Sequence, residues 1–179
     1  MKKVITIFGS AKPSDNEDQY LTAYNLGKIL AVNGFDICTG GFNGIMKAAS
    51  KGAFDGGAQA IGVTVDLRGG KVNEYVTKEI RCHTLLERIQ KLVELGDGFV
   101  VLQGGTGTLL ELAAVWEYCN KGLMEIKPIV CHSSIWKSIV NEMNQQMEFE
   151  GRSTDLVKVF SGIEDIIDYL KSRLQPVVG

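Results

Sequence analysis

Short β-branched apolar runs alternate with longer helical stretches along the chain, and this alternation limits the possible folds more than any other feature. Strands apolar on both faces need helices above and below them, so the pattern implies a mostly parallel sheet in an α/β fold. Residues 4–8 read as the first strand. Residues 17–32 read as a helix stopped by Asn33-Gly34. Residues 35–39 are a second strand, followed by "GGFNG" and a small-residue helix to about Phe54. "GGAQAIGVTV" holds a turn and a third strand. Residues 66–79 are irregular and polar, read as a lid or excursion, before a short strand at 80–83. Then come a helix at 84–95, a strand at 98–102, a helix to about Asn120, a strand at 128–131 and a helix at 133–147. "LVKVF" is the last strand. A helix at 161–174 closes the chain, with Ser161 and Glu164 at capping-box spacing.

In such sheets ligands bind at the carboxyl ends of the strands, near a reversal of strand order. Three glycine-bearing segments fall at predicted strand ends: "FGSA" (8–11), "TGGFNG" (39–44) and "LQGGTGT" (102–108). Glycine lets a ligand approach the backbone, and the first amides of a following helix attract an anion. Gly104, Gly105, Thr106, Gly107 and Thr108 meet that description as a phosphate site. Tight strand-to-helix turns alone also account for any one of these loops. No Walker A sequence occurs, and no third glycine completes a dinucleotide fingerprint after Gly105-Thr106-Gly107.

Glu111 has two readings. Thr108-Leu-Leu-Glu111 is a capping-box spacing, but a helix beginning near Thr106 would put Glu111 too deep to cap. Arg88 lies on the border of the apolar stripe formed by Leu85, Ile89 and Leu92, where a charge needs a partner. It either snorkels or aims at an anion or a carboxylate such as Glu111.

The 179 residues, 45 % of them hydrophobic, suit one compact domain over 1–179, since no Pro- or Ser-rich linker divides them. A net charge of −2 argues against nucleic acid as a partner. The apolar run at 4–8 is too short for a secretory core, and nothing approaches a membrane span. A soluble, cytoplasmic protein with no membrane partner is expected. The dipeptides Cys82-His83 and Cys131-His132 put neighbours on opposite strand faces, so no metal site is expected and the thiols should be reduced and buried.

Taken together, these residues resemble the Lonely Guy family, formerly labelled lysine decarboxylases. Its P-G-G-x-G-T-x-x-E pattern is similar to Gln103-Gly104-Gly105-Thr106-Gly107-Thr108-Leu109-Leu110-Glu111, with Gln103 in place of Pro. Its G-G-x-x-x-G-[LIV]-M pattern resembles "GGFNGIM" (40–46), one residue shorter, and its Gly-Ser turn resembles "IFGSA". The resemblance runs from Val4 to about Val130. It implies a Rossmann-like fold with a three-layer arrangement, a homodimer, and hydrolysis of a nucleoside 5′-monophosphate such as AMP or a cytokinin nucleotide to base and ribose 5-phosphate, with no cofactor. It also implies catalytic roles for Arg88 and Glu111, and ligand contacts at Gly9, Ser10, Gly40, Gly41, Gly44, Met46 and Gly104 to Thr108. The family's M-H-E-R-K segment is Leu85-Leu86-Glu87-Arg88-Ile89 here, keeping only Glu87 and Arg88. Two alternatives stay open. One is a binding protein, as in molybdenum-cofactor carriers with similar loops; the other, disfavoured by charge, is a DNA-handling relative. A pyridoxal-phosphate decarboxylase has no support, because these loops offer no lysine for the cofactor.

Overall fold

The computed structural model describes residues 2–66 and 70–175. Seven parallel strands form one sheet: β1 (Val4–Phe8), β2 (Asp36–Thr39), β3 (Ala60–Val65), β4 (Lys78–Cys82), β5 (Gly98–Val101), β6 (Ile129–His132) and β7 (Val157–Phe160), in the order β4-β3-β2-β1-β5-β6-β7. Six helices connect them: α1 (Asp18–Val32), α2 (Ile45–Asp55), α3 (Leu85–Leu95), α4 (Thr106–Asn120), α5 (Ser134–Phe149) and α6 (Ile163–Leu174). This is the expected three-layer Rossmann-like fold.

Strand alternation sorts the core into two halves. On β1, Ile5 and Ile7 pack with Leu26, Ile45 and Ile166 beneath α1, α2 and α6. Phe8 turns to the opposite face with Leu92, Val115 and Trp136 of α3, α4 and α5, and stacks on Phe99 at 6.0 Å. β5 repeats the pattern, with Val100 on the first face and Phe99 and Val101 on the second. Burying each such side chain contributes about 1.5–3 kcal/mol. The chain runs outward from β1 through β2, β3 and β4, then returns to the other side of β1 at β5. The strand order therefore reverses between β1 and β5.

Local signals explain most boundaries. Gly34 adopts φ 88°, and the pair Phe35 N to Leu30 O (3.1 Å) and Gly34 N to Ala31 O (3.0 Å) ends α1 as the Asn33-Gly34 stop requires. Thr84 Oγ1 accepts from Glu87 N (3.1 Å) while Glu87 Oε2 accepts from His83 N (2.7 Å), a capping box for α3 shifted by one residue on its return bond.

Two expectations need correction. The box at Ser161 and Glu164 does not form, because α6 starts one residue later with Gly162 at its N-cap and no capping side chain. The same spacing is used instead at Ser14 and Glu17, where Ser14 N and Oγ both donate to Glu17 Oε1. β4 begins at Lys78, two residues earlier than read. It is an edge strand whose exposed Lys78, Glu79 and Arg81 hide the apolar signal and also protect the open edge. Part of the 66–79 excursion, residues 67–69, lies outside the described residues. The rest is tied down by Asn73, whose Nδ2 donates to Gly41 O and Phe42 O at 3.0 Å each. Among the described residues, no helix is long and apolar enough to cross a membrane, and no three metal-ligating side chains come together. The four cysteines are free and buried.

Candidate functional site

The three glycine loops meet at the switch point because β2, β1 and β5 are neighbours. Ser10 N donates to Gln103 O (3.0 Å), and Ser10 O accepts from Ile45 N (2.8 Å). The turn after β1 is thus stitched to the β5 loop on one side and to the start of α2 on the other. Gly44, the N-cap of α2, takes φ 64° and lies so close to Ser10 O and Ala11 that a Cβ would collide. A Cβ on Gly9 would likewise strike Ile45. At these two glycines the space a side chain would need is filled by contacts between loops.

Arg88 neither snorkels nor reaches solvent. The capping box places Glu87 at the mouth of α3, and the next residue turns inward, only 7 % exposed. Its Nε donates to Val63 O (2.9 Å) at the carboxyl end of β3, Nη2 lies 3.8 Å from Met46 Sδ, and the guanidinium faces the Phe42 ring at 5.7 Å. Gly40 makes this possible, since any Cβ there would occupy the position of Nη2. Gly40, Met46 and, through Asn73, Gly41 and Phe42 therefore form a cradle for Arg88. Val63, Phe42 and Asn73 escaped the sequence reading: a backbone carbonyl and a half-buried ring carry no motif, and Asn73 sits in a stretch whose polarity suggested solvent.

The cradle delivers Arg88 Nη1 to Glu111 Oε1 at 3.4 Å, a buried ion pair between α3 and α4. α4 begins at Thr106, so Glu111 is too deep to cap and the Thr108 box does not form. The carboxylate faces Arg88 at 8 % exposure. Burial pushes its pKa up to about 7 from the ordinary 4.5, although the Arg88 charge and hydrogen bond pull the other way. A contact as long as 3.4 Å to one oxygen offsets only part of that desolvation.

In front of this pair the start of α4 is open. No side chain caps Gly105, and Gly105, Thr106 and Gly107 are exposed, whereas Thr108 is buried. A Cβ at Gly105 or Gly107 would meet nothing within 4 Å, while one at Gly104 would strike Thr108. None of these three takes the positive φ that glycine permits, so their smallness matters here and their flexibility does not. The turn is an open shelf of uncapped helix amides, suited to an anion. Two small cavities open at the neighbouring loops, about 180 Å³ against Ala11, Phe42 and Asn43 and about 200 Å³ against Ile45 and Gln103. A cavity of about 630 Å³ lies apart at β6 and β7. Volume and chemistry do not coincide, and the acid–guanidinium pair identifies this site.

A parallel seven-stranded sheet with glycine loops at its switch point and a buried Arg–Glu pair beside them defines a Rossmann-like class of α/β protein. Within that class the chain belongs to the SLOG cluster4 family, which it matches over residues 2–158. The resemblance to Lonely Guy proteins extends beyond the motif. The chain is 33 % identical over 131 residues to the cytokinin riboside 5′-monophosphate phosphoribohydrolase LOG of Oryza sativa subsp. japonica, covering 72 % of this chain and 53 % of that protein. It is 33 % identical over 108 residues to the pyrimidine/purine nucleotide 5′-monophosphate nucleosidase of Escherichia coli K12, covering 55 % of this chain and 24 % of that one. The match thus spans about half the length of the first relative and a quarter of the second. In fold, the chain is similar to the molybdenum cofactor carrier protein of Chlamydomonas reinhardtii, with a TM-score of 0.78 at 24 % identity, covering 98 % of this chain and 99 % of that one.

Proposed function

We propose that the chain hydrolyses the N-glycosidic bond of a nucleoside 5′-monophosphate, AMP or a cytokinin-type nucleotide, giving free base and ribose 5-phosphate. The buried Arg88–Glu111 pair behind the uncapped start of α4 is the observation that carries this reading. The 5′-phosphate rests on the amides of Gly105 to Thr108, and that binding energy holds the ribose against the acid. As the bond from C1′ to the base nitrogen breaks, the ring becomes oxocarbenium-like. Ionised Glu111 stabilises it or takes a proton from the attacking water, and the base leaves with a proton. Arg88, fixed by Val63 O and by Gly40, orients the carboxylate. The names of the rice and E. coli relatives support this reaction class. The test is incubation with AMP: adenine and ribose 5-phosphate should accumulate in equal amounts. AMP that binds and stays intact would overturn hydrolysis.

That outcome would favour the second reading, a non-catalytic carrier of a nucleotide or a molybdenum cofactor. Its specific support is the departure from the family motif at Gln103 and at Leu85, Leu86 and Ile89. We also propose that two chains pair, because α4 and α5 leave an apolar groove of about 330 Å³ lined by Leu109, Leu112, Ala113, Trp116, Ile139 and Met143.

A further inference from the structure

We infer that the cavity at the carboxyl ends of β6 and β7 is a second small-molecule site, built for a compact phosphorylated sugar and separate from the Arg88–Glu111 pair. It encloses about 630 Å³, and its walls include His132, Ser133, Lys137, Asn144, Asp155 and Lys158. That volume lies in the range of small-ligand sites, and strand carboxyl ends are where α/β sheets bind ligands.

Its chemistry is that of an anion site with hydroxyl partners. α5, sixteen residues long, starts at this wall with Ser133 as N-cap and no side-chain cap. Lys137, one turn further on, has no carboxylate within 4.0 Å among the described residues, whereas Lys158 is balanced by Asp155 at 3.0 Å. One positive charge is left beside the uncapped amides. Two side-chain atoms of residues in the wall, Ser133 Oγ and Asn144 Oδ1, are closed to solvent and have no hydrogen-bond partner among the described residues. Such atoms are rare in native proteins, since each forfeits the hydrogen bond it had in water.

Ser133 carries a further sign. It is the one non-glycine with positive φ among the described residues, at φ 130° and ψ 160°. Strain of this kind persists where the surroundings impose it, and it clusters at ligand sites. The imposed geometry is visible on both sides: His132 Nε2 donates to Ser161 O (3.0 Å), and Trp136 Nε1 donates to Leu102 O (2.9 Å). The second bond joins the first turn of α5 to the residue preceding Gln103.

Amide and indole NMR spectra of the full chain, titrated with inorganic phosphate and with glucose 6-phosphate at constant ionic strength, test this site. Saturable shifts are expected at Ser134 to Lys137 and at the Trp136 indole, tighter for the sugar phosphate. Lys137→Glu, at an exposed position, should weaken them about tenfold or more. Ser133→Gly should raise Tm by relieving the backbone while weakening binding. No saturable shift at Ser134 to Lys137, or one unchanged in Lys137→Glu, overturns the site. Shifts confined to Gly105 to Thr108 overturn it too, while leaving the nucleotide reading intact.

Discussion

Glu111 is held in an environment that disfavours its charge. Its folded pKa of about 7 lies above the ordinary 4.5, so folding favours the neutral form. That stabilisation is complete below about pH 4.5, is lost as pH rises toward 7, and stays lost above it. At 1.36 kcal/mol per pH unit the loss is about 3 kcal/mol. Glu111→Gln imitates the neutral acid at every pH, so urea denaturation should show wild type losing stability relative to the variant between pH 5.5 and pH 8. A difference that does not change with pH would contradict the buried-acid argument. In the proposed reaction the ionised form acts. Wild-type kcat should therefore rise with pH through about 7, and Glu111→Gln should lower it roughly 10² to 10³-fold with little change in KM.

At the scale of the elements, the glycine loops divide by task. Gly40 admits the guanidinium to its cradle, whereas Gly105 borders open space at an ordinary φ of −99°. Gly40→Ala should push Arg88 away from Val63 O and Glu111, costing about 1–3 kcal/mol of stability and most of kcat. Gly105→Ala should leave Tm unchanged while raising KM for AMP, because the new methyl group stands where the phosphate meets the backbone. A Gly105→Ala enzyme with wild-type KM would place the phosphate elsewhere. The contrast also shows what was legible in the chain. β1, β2, β3, β5 and the helices between them came from apolar periodicity and local stop signals such as Asn33-Gly34. The convergence of the three loops followed once those strands were neighbours. The sequence leaves the Arg88–Glu111 contact as one of two alternatives, because it joins residues on different helices and depends on where α4 starts. The Asn73 latch, the hidden edge strand β4 and the misread box at Ser161 depend on tertiary context that a local pattern does not carry.

On the scale of the whole molecule, one edge of the sheet collects the functional features. The three loops lie at the carboxyl ends of β2, β1 and β5, and the larger cavity lies at those of β6 and β7. The helices on the second face do not all finish their packing. Leu109 and Met143 are 40 % and 43 % exposed along the α4–α5 groove, and the Trp116 indole N–H there is buried without a partner among the described residues. A groove this apolar gains free energy from each leucine or methionine it removes from water, and a second copy offers the same surface by symmetry. Met143→Glu puts a charge into that surface, far from the cradle of Arg88, where a residue already half exposed tolerates the change in an isolated chain. Gel filtration with light scattering should report two chains for wild type and one for Met143→Glu, the variant keeping its circular dichroism spectrum. A wild-type mass of one chain, or a variant that stays paired, would remove this groove as the interface.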